Sequence, residues 1–141
     1  MCQTFKTRAP CIGQSAQFEP LGVAMTASIN LARKLATFSD HFAPRTVATF
    51  NDLDIMVVKI KGEFQWHSHS GSDDFFLVLQ GRMRVETEHG QAELGPGELF
   101  IVPRGVRHRP VADEECHVML IEPTGTPNTG DATTAAPRRV I

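Results

Sequence analysis

Two histidines, His67 and His69, stand two residues apart in the stretch 62–81, and the carboxylate of Asp74 follows them. Alternate side chains of a β-strand point to the same face, so the two imidazoles would project together. The residues between His69 and Asp74 are small or turn-forming, and they would bring Asp74 into the next strand facing the imidazoles. Two histidines and one carboxylate on the same side of an ion are typical of non-haem iron and other divalent metal sites.

A third histidine, His108, follows an apolar segment and a turn built on Pro103 and Gly105. The predicted metal site therefore has three imidazoles and one carboxylate, from His67, His69, Asp74 and His108. Zn, Mn, Ni, Fe or Co could each occupy such a site, because availability and fine geometry select the divalent ion. Asp74 has an alternative role, in which it caps the turn and does not bind the ion.

These two stretches resemble the paired motifs of the cupin superfamily, G-x5-H-x-H-x3-4-E-x6-G and G-x5-P-x-G-x2-H-x3-N. Matching residues of the first motif are His67, His69 and Gly81, and those of the second are Gly97, Pro103, Gly105 and His108. The sequence resembles small single-domain cupins of the RmlC-like, mannose-6-phosphate isomerase-like group. That label describes similarity and does not establish an activity.

Three positions depart from the motifs. Four residues instead of five separate Gly62 from His67, Asp74 replaces the usual glutamate, and Ala112 replaces the final asparagine. The aspartate matters most, because its side chain is one methylene shorter. It would reach the metal after a small backbone shift or leave a site of three imidazoles.

The resemblance implies a metal-binding protein and favours an enzyme that acts on a small polar metabolite. Its reaction would be isomerisation or epimerisation, lyase chemistry, or dioxygenation at the metal ion. Two alternatives remain open: a non-catalytic module that binds or senses a metal or small molecule, and a structural dimer with a vestigial histidine cluster. The sequence identifies no catalytic residue; the nearest polar candidates for a general base are Glu63, Gln65 and Glu98.

From Arg45 onward the sequence has the pattern of short strands separated by turns. The nine predicted strands are 46–50, 55–61, 63–69, 75–79, 82–86, 91–94, 98–102, 108–111 and 117–122. This spacing indicates an all-β sandwich or barrel, and the resemblance selects the double-stranded β-helix, or jelly roll, of the cupin barrel. A short amphipathic helix is predicted over residues 28–38, with Ser28 as its N-cap.

Strand parity predicts a small apolar pocket beside the metal site. Residues on the inward face would be Glu63 and Gln65 with the two histidines, Phe76 and Val78 with Asp74, and Pro110 and Ala112 with His108. Phe75, Leu77 and Leu79 would face outward and need cover from the N-terminal helix or from a second subunit. A homodimer is therefore expected.

The chain divides into a flexible N-terminal arm (1–24), a short helix and lead-in (25–44), the barrel (45–123) and a flexible C-terminal tail (124–141). A further hypothesis places the start of translation at Met25. The net charge of −2 argues against a nucleic-acid surface. No apolar run is long enough to span a membrane, and no secretory signal is recognised, so we expect a cytoplasmic protein.

Several other residues receive structural assignments. The three cysteines lack CxxC spacing, and Cys116 is expected in the core. His41, His89, His117 and Trp66 are assigned to the surface or to packing. Arg104, Arg107 and Arg109 are assigned to a solvated loop, with recognition of an anionic substrate as the alternative.

Overall fold

The computed structural model describes residues 27–141. In this range the chain forms one helix and seven strands: α1 (Leu31–Leu35), β1 (Arg45–Phe50), β2 (Leu53–Glu63), β3 (Asp74–Gln80), β4 (Met83–Thr87), β5 (Gly90–Leu94), β6 (Leu99–Val102) and β7 (His108–Pro123). All strand pairs are antiparallel. The all-β jelly-roll prediction is confirmed. The N-terminal arm and the proposed start at Met25 lie outside the described residues.

Strand β7 is the centre of the sheet. The strand order is β1-β2-β7-β3-β6, and β4 joins β7 to β5. We predicted two strands here, at 108–111 and 117–122, but the chain forms one strand of 16 residues. The exposed residues Asp113, Glu114 and Glu115 lie where the pairing with β2 shifts register, between Ile60 and Gly62. The acidic run therefore marks an irregularity in one strand and does not end it.

The main core fills the space between the sheet's inner faces. In β3, Phe76 and Val78 are buried, whereas Phe75, Leu77 and Leu79 are half-buried on the opposite face, as strand parity predicted. Side chains of β2, β4, β5, β6 and β7 complete this core, and Cys116 is fully buried within it. Burial of each large aliphatic side chain contributes about 1.5 to 3 kcal/mol to folding.

Helix α1 is shorter than predicted and begins later. Its N-cap is Asn30, whose Oδ1 accepts a hydrogen bond from the Arg33 backbone N–H at 3.0 Å. The prediction that Ser28 is the N-cap was wrong. Asparagine is as good an N-cap as serine and is less favourable inside a helix, so the helix begins after Asn30. Leu35 packs with Val47 and Val57 in a second core on the outer face of the sheet. None of the helices in the range 27–141 has the length and apolar character needed to cross a membrane.

The C-terminal segment 124–141, which we expected to be flexible, pairs with β1 through its last residues. The Thr46 backbone N–H donates to Arg139 O at 2.7 Å, and the Ile141 N–H donates to Thr46 O at 3.0 Å. The Arg138 guanidinium donates to both oxygens of buried Asp54, at 2.7 and 3.0 Å. This ion pair joins the C-terminal segment to the start of β2.

Candidate metal centre

The structure brings the four predicted side chains together in one cluster. His67, His69, Asp74 and His108 are all buried, and one potential ligand atom from each lies within 4.8 Å of the other three. Asp74 opens β3 and His108 opens β7, whereas the other two lie in the connection between β2 and β3. The bridge between His67 and His108 therefore brings the two motifs together beside the start of β3.

Backbone pairing fixes the relative position of the histidines. His67 and His108 exchange two N–H to carbonyl hydrogen bonds, of 3.0 and 2.9 Å, which brings their ring centroids to 4.4 Å. The Gly105 N–H donates to His69 O at 2.7 Å, so the turn of the second motif is held against the first. Gly105 has a φ of +80°, a conformation that a glycine adopts without strain.

Two imidazole rings are oriented by backbone carbonyls. Nδ1 of His67 donates to Gln65 O at 2.9 Å, and Nδ1 of His108 donates to Val106 O at 2.9 Å. This arrangement leaves Nε2 of each ring facing the cluster. A histidine that binds a metal commonly uses one ring nitrogen for the ion and the other for such a hydrogen bond.

Two buried polar atoms of the cluster make no hydrogen bond of good geometry among the described residues: His69 Nε2, which contacts the Asp74 carboxylate, and Asp74 Oδ1. Oδ2 of Asp74 lies 2.8 Å from His108 Nε2 and 3.3 Å from His69 Nε2. An unsatisfied buried polar group costs about 1 to 3 kcal/mol, and native structures contain few of them. A divalent ion would accept electron pairs from both atoms, so the donor set fits a metal.

The electrostatics of the cluster suit ion binding. Burial lowers the pKa of His67, which keeps its imidazole neutral and able to bind a cation. Burial opposes ionisation of both Asp74 and His108, but their contact outweighs it, lowering the pKa of Asp74 and raising the pKa of His108. Without an ion, His108 and Asp74 therefore stabilise each other as a charged pair.

A pocket adjoins the cluster. His67, Asp74 and Phe76 contribute to its wall, and its cavity volume is about 40 Å³, which is room for only a few water molecules. Most of the remaining wall is apolar, which agrees with the predicted pocket. Pro110 and Ala112 are buried on the same side as His108, as predicted, and Pro110 lines the pocket.

Among the residues of this pocket that sequence reasoning missed, Glu122 is the ionisable one. It is 4% exposed, near the end of β7, and lines the pocket with Asp74. Burial and the neighbouring Asp74 carboxylate raise its pKa to about 9. The alternation of β7 carried the signal, because Glu122 falls on the same face as buried Val118 and Leu120.

The three polar candidates for a general base do not reach the pocket. Glu63, Gln65 and Glu98 are all exposed. The predicted strand 63–69 was wrong: β2 ends at Glu63, and the following residues are irregular except for the bridge from His67 to His108. Strand parity therefore does not extend from the histidines to Glu63 and Gln65. Glu98 instead accepts a hydrogen bond from the Gly95 N–H at 2.8 Å.

The remaining singled-out side chains lie outside the cluster. His41 and His117 both contact the carboxylate of Glu115, each at 2.9 Å. Trp66 lies against Arg107 and Arg109 and is 38% exposed. His89 lies in the exposed turn between β4 and β5.

Comparison with known proteins agrees with the fold and the motifs. The family described as Cupin domain matches residues 54–122. The crystal structure of a cupin-2 domain containing protein from Shewanella frigidimarina is 40% identical, with a TM-score of 0.66 over 67% of this chain and 93% of that chain.

Two curated proteins match shorter parts of the sequence. The uncharacterized protein YdbB of Bacillus subtilis is 29% identical over 86 residues, which cover 60% of this chain and 76% of YdbB. Homogentisate 1,2-dioxygenase of Rhodopseudomonas palustris is 47% identical over 34 residues, only 24% of this chain and 8% of that enzyme. Both the motifs and the extensive match to the Shewanella structure lead to one assignment: the chain belongs to the cupin superfamily.

Proposed function

We propose that this protein is a metal-dependent enzyme acting on a small molecule. His67, His69, Asp74 and His108 would hold one divalent ion, which could be Zn, Mn, Ni, Fe or Co. The supporting observation is the convergence of these four buried side chains, with His69 Nε2 and Asp74 Oδ1 lacking hydrogen bonds of good geometry within the described residues. The ion would supply Lewis-acid polarisation of a substrate oxygen or, if it is iron, oxygen chemistry.

Three reaction classes fit this site: isomerisation or epimerisation, lyase chemistry, and dioxygenation. The short similarity to homogentisate 1,2-dioxygenase supports the third. In each class the chain's own residues would place the substrate beside the apolar pocket and exclude water from it. The element bound by the native protein would select between oxygen chemistry and Lewis-acid chemistry.

Glu122 has a binding role in the proposal. Its carboxyl group and Asp74 line the same pocket, so Glu122 could hydrogen-bond a polar group of a substrate held near the ion. Such a group would orient the substrate without itself binding the ion.

Water exchange at the ion tests catalysis against simple metal binding. We would load the protein with Mn²⁺ and measure the relaxation rate of bulk water protons. A catalytic site keeps an open coordination position, so we expect strong relaxation enhancement from exchangeable water. Bound Mn²⁺ with no enhancement would indicate a closed coordination shell and favour the non-catalytic binding module.

A homodimer through the outer face of β6 completes the proposal. Leu99 and Ile101 are 54% and 46% exposed on this edge strand, next to their half-buried partners Leu77 and Phe75 in β3. Helix α1 covers a different part of this face. Sedimentation velocity of the wild type and Ile101→Lys would test the assignment, with a dimer that dissociates in the variant as the expected result.

A further inference from the structure

A second cavity lies between the sheet and the C-terminal segment. Its volume is about 370 Å³, and small-molecule sites have volumes of about 300 to 1,000 Å³. Strands β1, β2 and β7 contribute Thr46, Asp54, Met56 and Glu122 to its lining, and most of the rest comes from residues between 123 and 138. None of the four candidate metal ligands lines this cavity. It therefore has the size of a binding site and is separate from the metal centre.

Two buried carboxyl groups face each other across the strands that line the cavity. Asp54 of β2 and Glu122 of β7 are direct partners in the antiparallel pairing, and they are 3% and 4% exposed. Two negative charges at such positions destabilise a sheet unless each is compensated. Asp54 is compensated, because Arg138 donates to both of its oxygens and Thr124 and Thr46 contact them as well.

Glu122 lacks compensation of this kind. Its ionisable neighbours are the carboxyl groups of Asp74 and Asp54, and no cation among residues 27–141 pairs with it. A carboxyl group has two oxygens, so a contact with Asp74 leaves the second oxygen of Glu122 free. Buried polar groups of native proteins are nearly always hydrogen-bonded. Because Glu122 lines the cavity, a molecule bound there can supply the missing partner.

The other polar groups of the cavity define what such a molecule must carry. Arg138 uses Nε and Nη2 for Asp54, and its Nη1 makes no hydrogen bond to the described residues. No aromatic side chain lines the cavity, whereas four of the lining residues are prolines: Pro44, Pro123, Pro127 and Pro137. Proline has a carbonyl acceptor and no N–H donor. The lining is therefore rich in acceptors, poor in donors and without a surface for stacking a ring.

The charges around the cavity favour a neutral molecule. An anion would meet the carboxyl groups of Asp54 and Glu122, while Arg138 is already paired. A cation would meet the Arg138 guanidinium and, once the metal centre is filled, the divalent ion held by Asp74 beside Glu122. Hydroxyl groups both donate and accept, so they can bind Glu122 in either protonation state without the cost of desolvating a charge.

We infer that this cavity binds a small uncharged molecule with several hydroxyl groups, such as a polyol or a monosaccharide. Its hydroxyl groups donate to Glu122 and to carbonyl oxygens of the C-terminal segment, and one of its oxygens accepts from Arg138 Nη1. This site does not require an ion and goes beyond the proposed function, because none of the metal ligands contributes to it.

Matched compounds test the inference on the full-length protein. We would measure binding of D-glucose, D-xylose and myo-inositol by ligand-observed NMR, beside D-glucosamine and D-glucuronate. The last two compounds keep the ring of glucose and add a positive or a negative charge. We expect the best neutral compound to bind at least about tenfold more tightly than either charged one, since a charge must be desolvated without a free partner.

A pair of leucine variants locates the bound molecule. Ala135→Leu places a larger side chain in the lining of the cavity and should weaken binding of the best neutral compound about tenfold or more. Ala32→Leu is the control, because Ala32 is exposed on α1 and does not line the cavity. Both variants should keep the metal content of the wild type.

A second pair of variants tests the role of the carboxyl group. Glu122→Leu keeps a side chain of similar size but cannot accept a hydrogen bond, so affinity should fall about 3- to 10-fold. Glu122→Gln can still donate and accept, and its affinity should stay within about twofold of the wild type. Equal affinity in Glu122→Leu and Glu122→Gln would contradict a hydrogen bond from the bound molecule to Glu122.

The remaining outcomes separate this site from the metal centre. Binding of the neutral compound should persist after a chelator removes divalent ions, and binding that requires the ion would overturn the inference. Failure of all three neutral compounds to bind would refute it. Equally tight binding of glucosamine or glucuronate would overturn the chemical class, and unchanged binding in Ala135→Leu would show that the molecule lies elsewhere.

Discussion

His108 Nε2 lies 2.8 Å from Asp74 Oδ2, and this contact joins the two motifs across 34 positions of the sequence. Both side chains are almost fully buried. The contact raises the pKa of His108 and, despite burial, lowers the pKa of Asp74. An incoming ion would displace the shared proton, so metal affinity is expected to fall as the pH is lowered.

Asp74→Asn should weaken metal binding more than any change at the adjacent aspartate. The amide keeps the size of the side chain but removes the negative charge from the cluster. Removing a residue that only hydrogen-bonds to a metal ligand lowers metal affinity about 10- to 100-fold. Asp74→Asn removes the charge of a ligand itself, so its effect on affinity should be at least as large. Competition with a chelator would measure the affinity of each variant.

Asp73→Asn is the matched control for that experiment. Asp73 is exposed, and its Oδ1 accepts the Arg104 N–H at 3.0 Å, a contact that an amide oxygen can keep. Equal losses of affinity in Asp73→Asn and Asp74→Asn would contradict a ligand role for Asp74.

Gly130 should act as a positioning residue for the histidine pair. A methyl group at Gly130 would overlap the carbonyl oxygen of Ser68, which lies between His67 and His69. Gly130→Ala should therefore displace this backbone and lower metal affinity about tenfold or more. The visible spectrum of bound Co²⁺ should change as well, because it reports ligand geometry.

Gly125→Ala is the control for backbone strain. Gly125 and Gly130 have φ values of +87° and +76°, but a methyl group at Gly125 would meet no atom within 4 Å. Both variants should lose about 1 to 2 kcal/mol of stability from the left-handed conformation. If both also kept the wild-type cobalt spectrum, Gly130 would have no role in positioning the site.

Arg138→Gln should destabilise the fold by about 1 to 3 kcal/mol, because it removes the charged partner of the buried Asp54 carboxylate. Asp54 would retain its hydrogen bond from Thr124 at 3.1 Å and its longer contact with Thr46. Urea unfolding of the metal-free protein would give the difference. Arg139→Gln serves as the comparison, since Arg139 is exposed and lies 3.8 Å from Asp40; an equal loss there would argue against the specific ion pair.

Glu115 should stabilise the fold in a pH-dependent manner. Hydrogen bonds from His41 and His117 lower its pKa to about 2. A carboxyl group with a lowered pKa in the folded state contributes stability above its unfolded pKa, and that contribution is lost as the pH falls through the folded value. Glu115→Gln should therefore melt at a lower temperature than the wild type at pH 5, and the difference should shrink towards pH 2.

The neighbouring Glu114 provides the control for this pH dependence. Its side chain is 91% exposed and lies 3.8 Å from Lys61. Glu114→Gln should melt like the wild type across the same range of pH. A difference between Glu115→Gln and wild type that stayed constant from pH 5 to pH 2 would show that titration of Glu115 is not its cause.

The sequence was sufficient to predict an all-β fold, because strand alternation and turn residues are local signals. The jelly roll and the grouping of His67, His69, Asp74 and His108 were predicted from the resemblance to the paired cupin motifs. The sequence was insufficient for the connection 64–73, where an irregular backbone replaces the predicted strand and directs Gln65 outward. Glu122 was missed since a lone carboxylate in a strand is ordinarily exposed. The ion pair between Arg138 and Asp54 joins residues 84 positions apart. The composition of the C-terminal segment, from which its flexibility was predicted, carries no information about such a tertiary contact.

Metal content per chain tests the central claim most directly. Elemental analysis would use protein purified without an affinity tag or chelator, beside a His67→Ala, His108→Ala double variant. His89→Ala is the control, because the His89 side chain is 75% exposed. We predict close to one divalent ion per chain in the wild type and the control, and none in the double variant. Absence of metal from the wild type, even after incubation with Zn, Mn, Ni, Fe and Co in turn, would contradict the account.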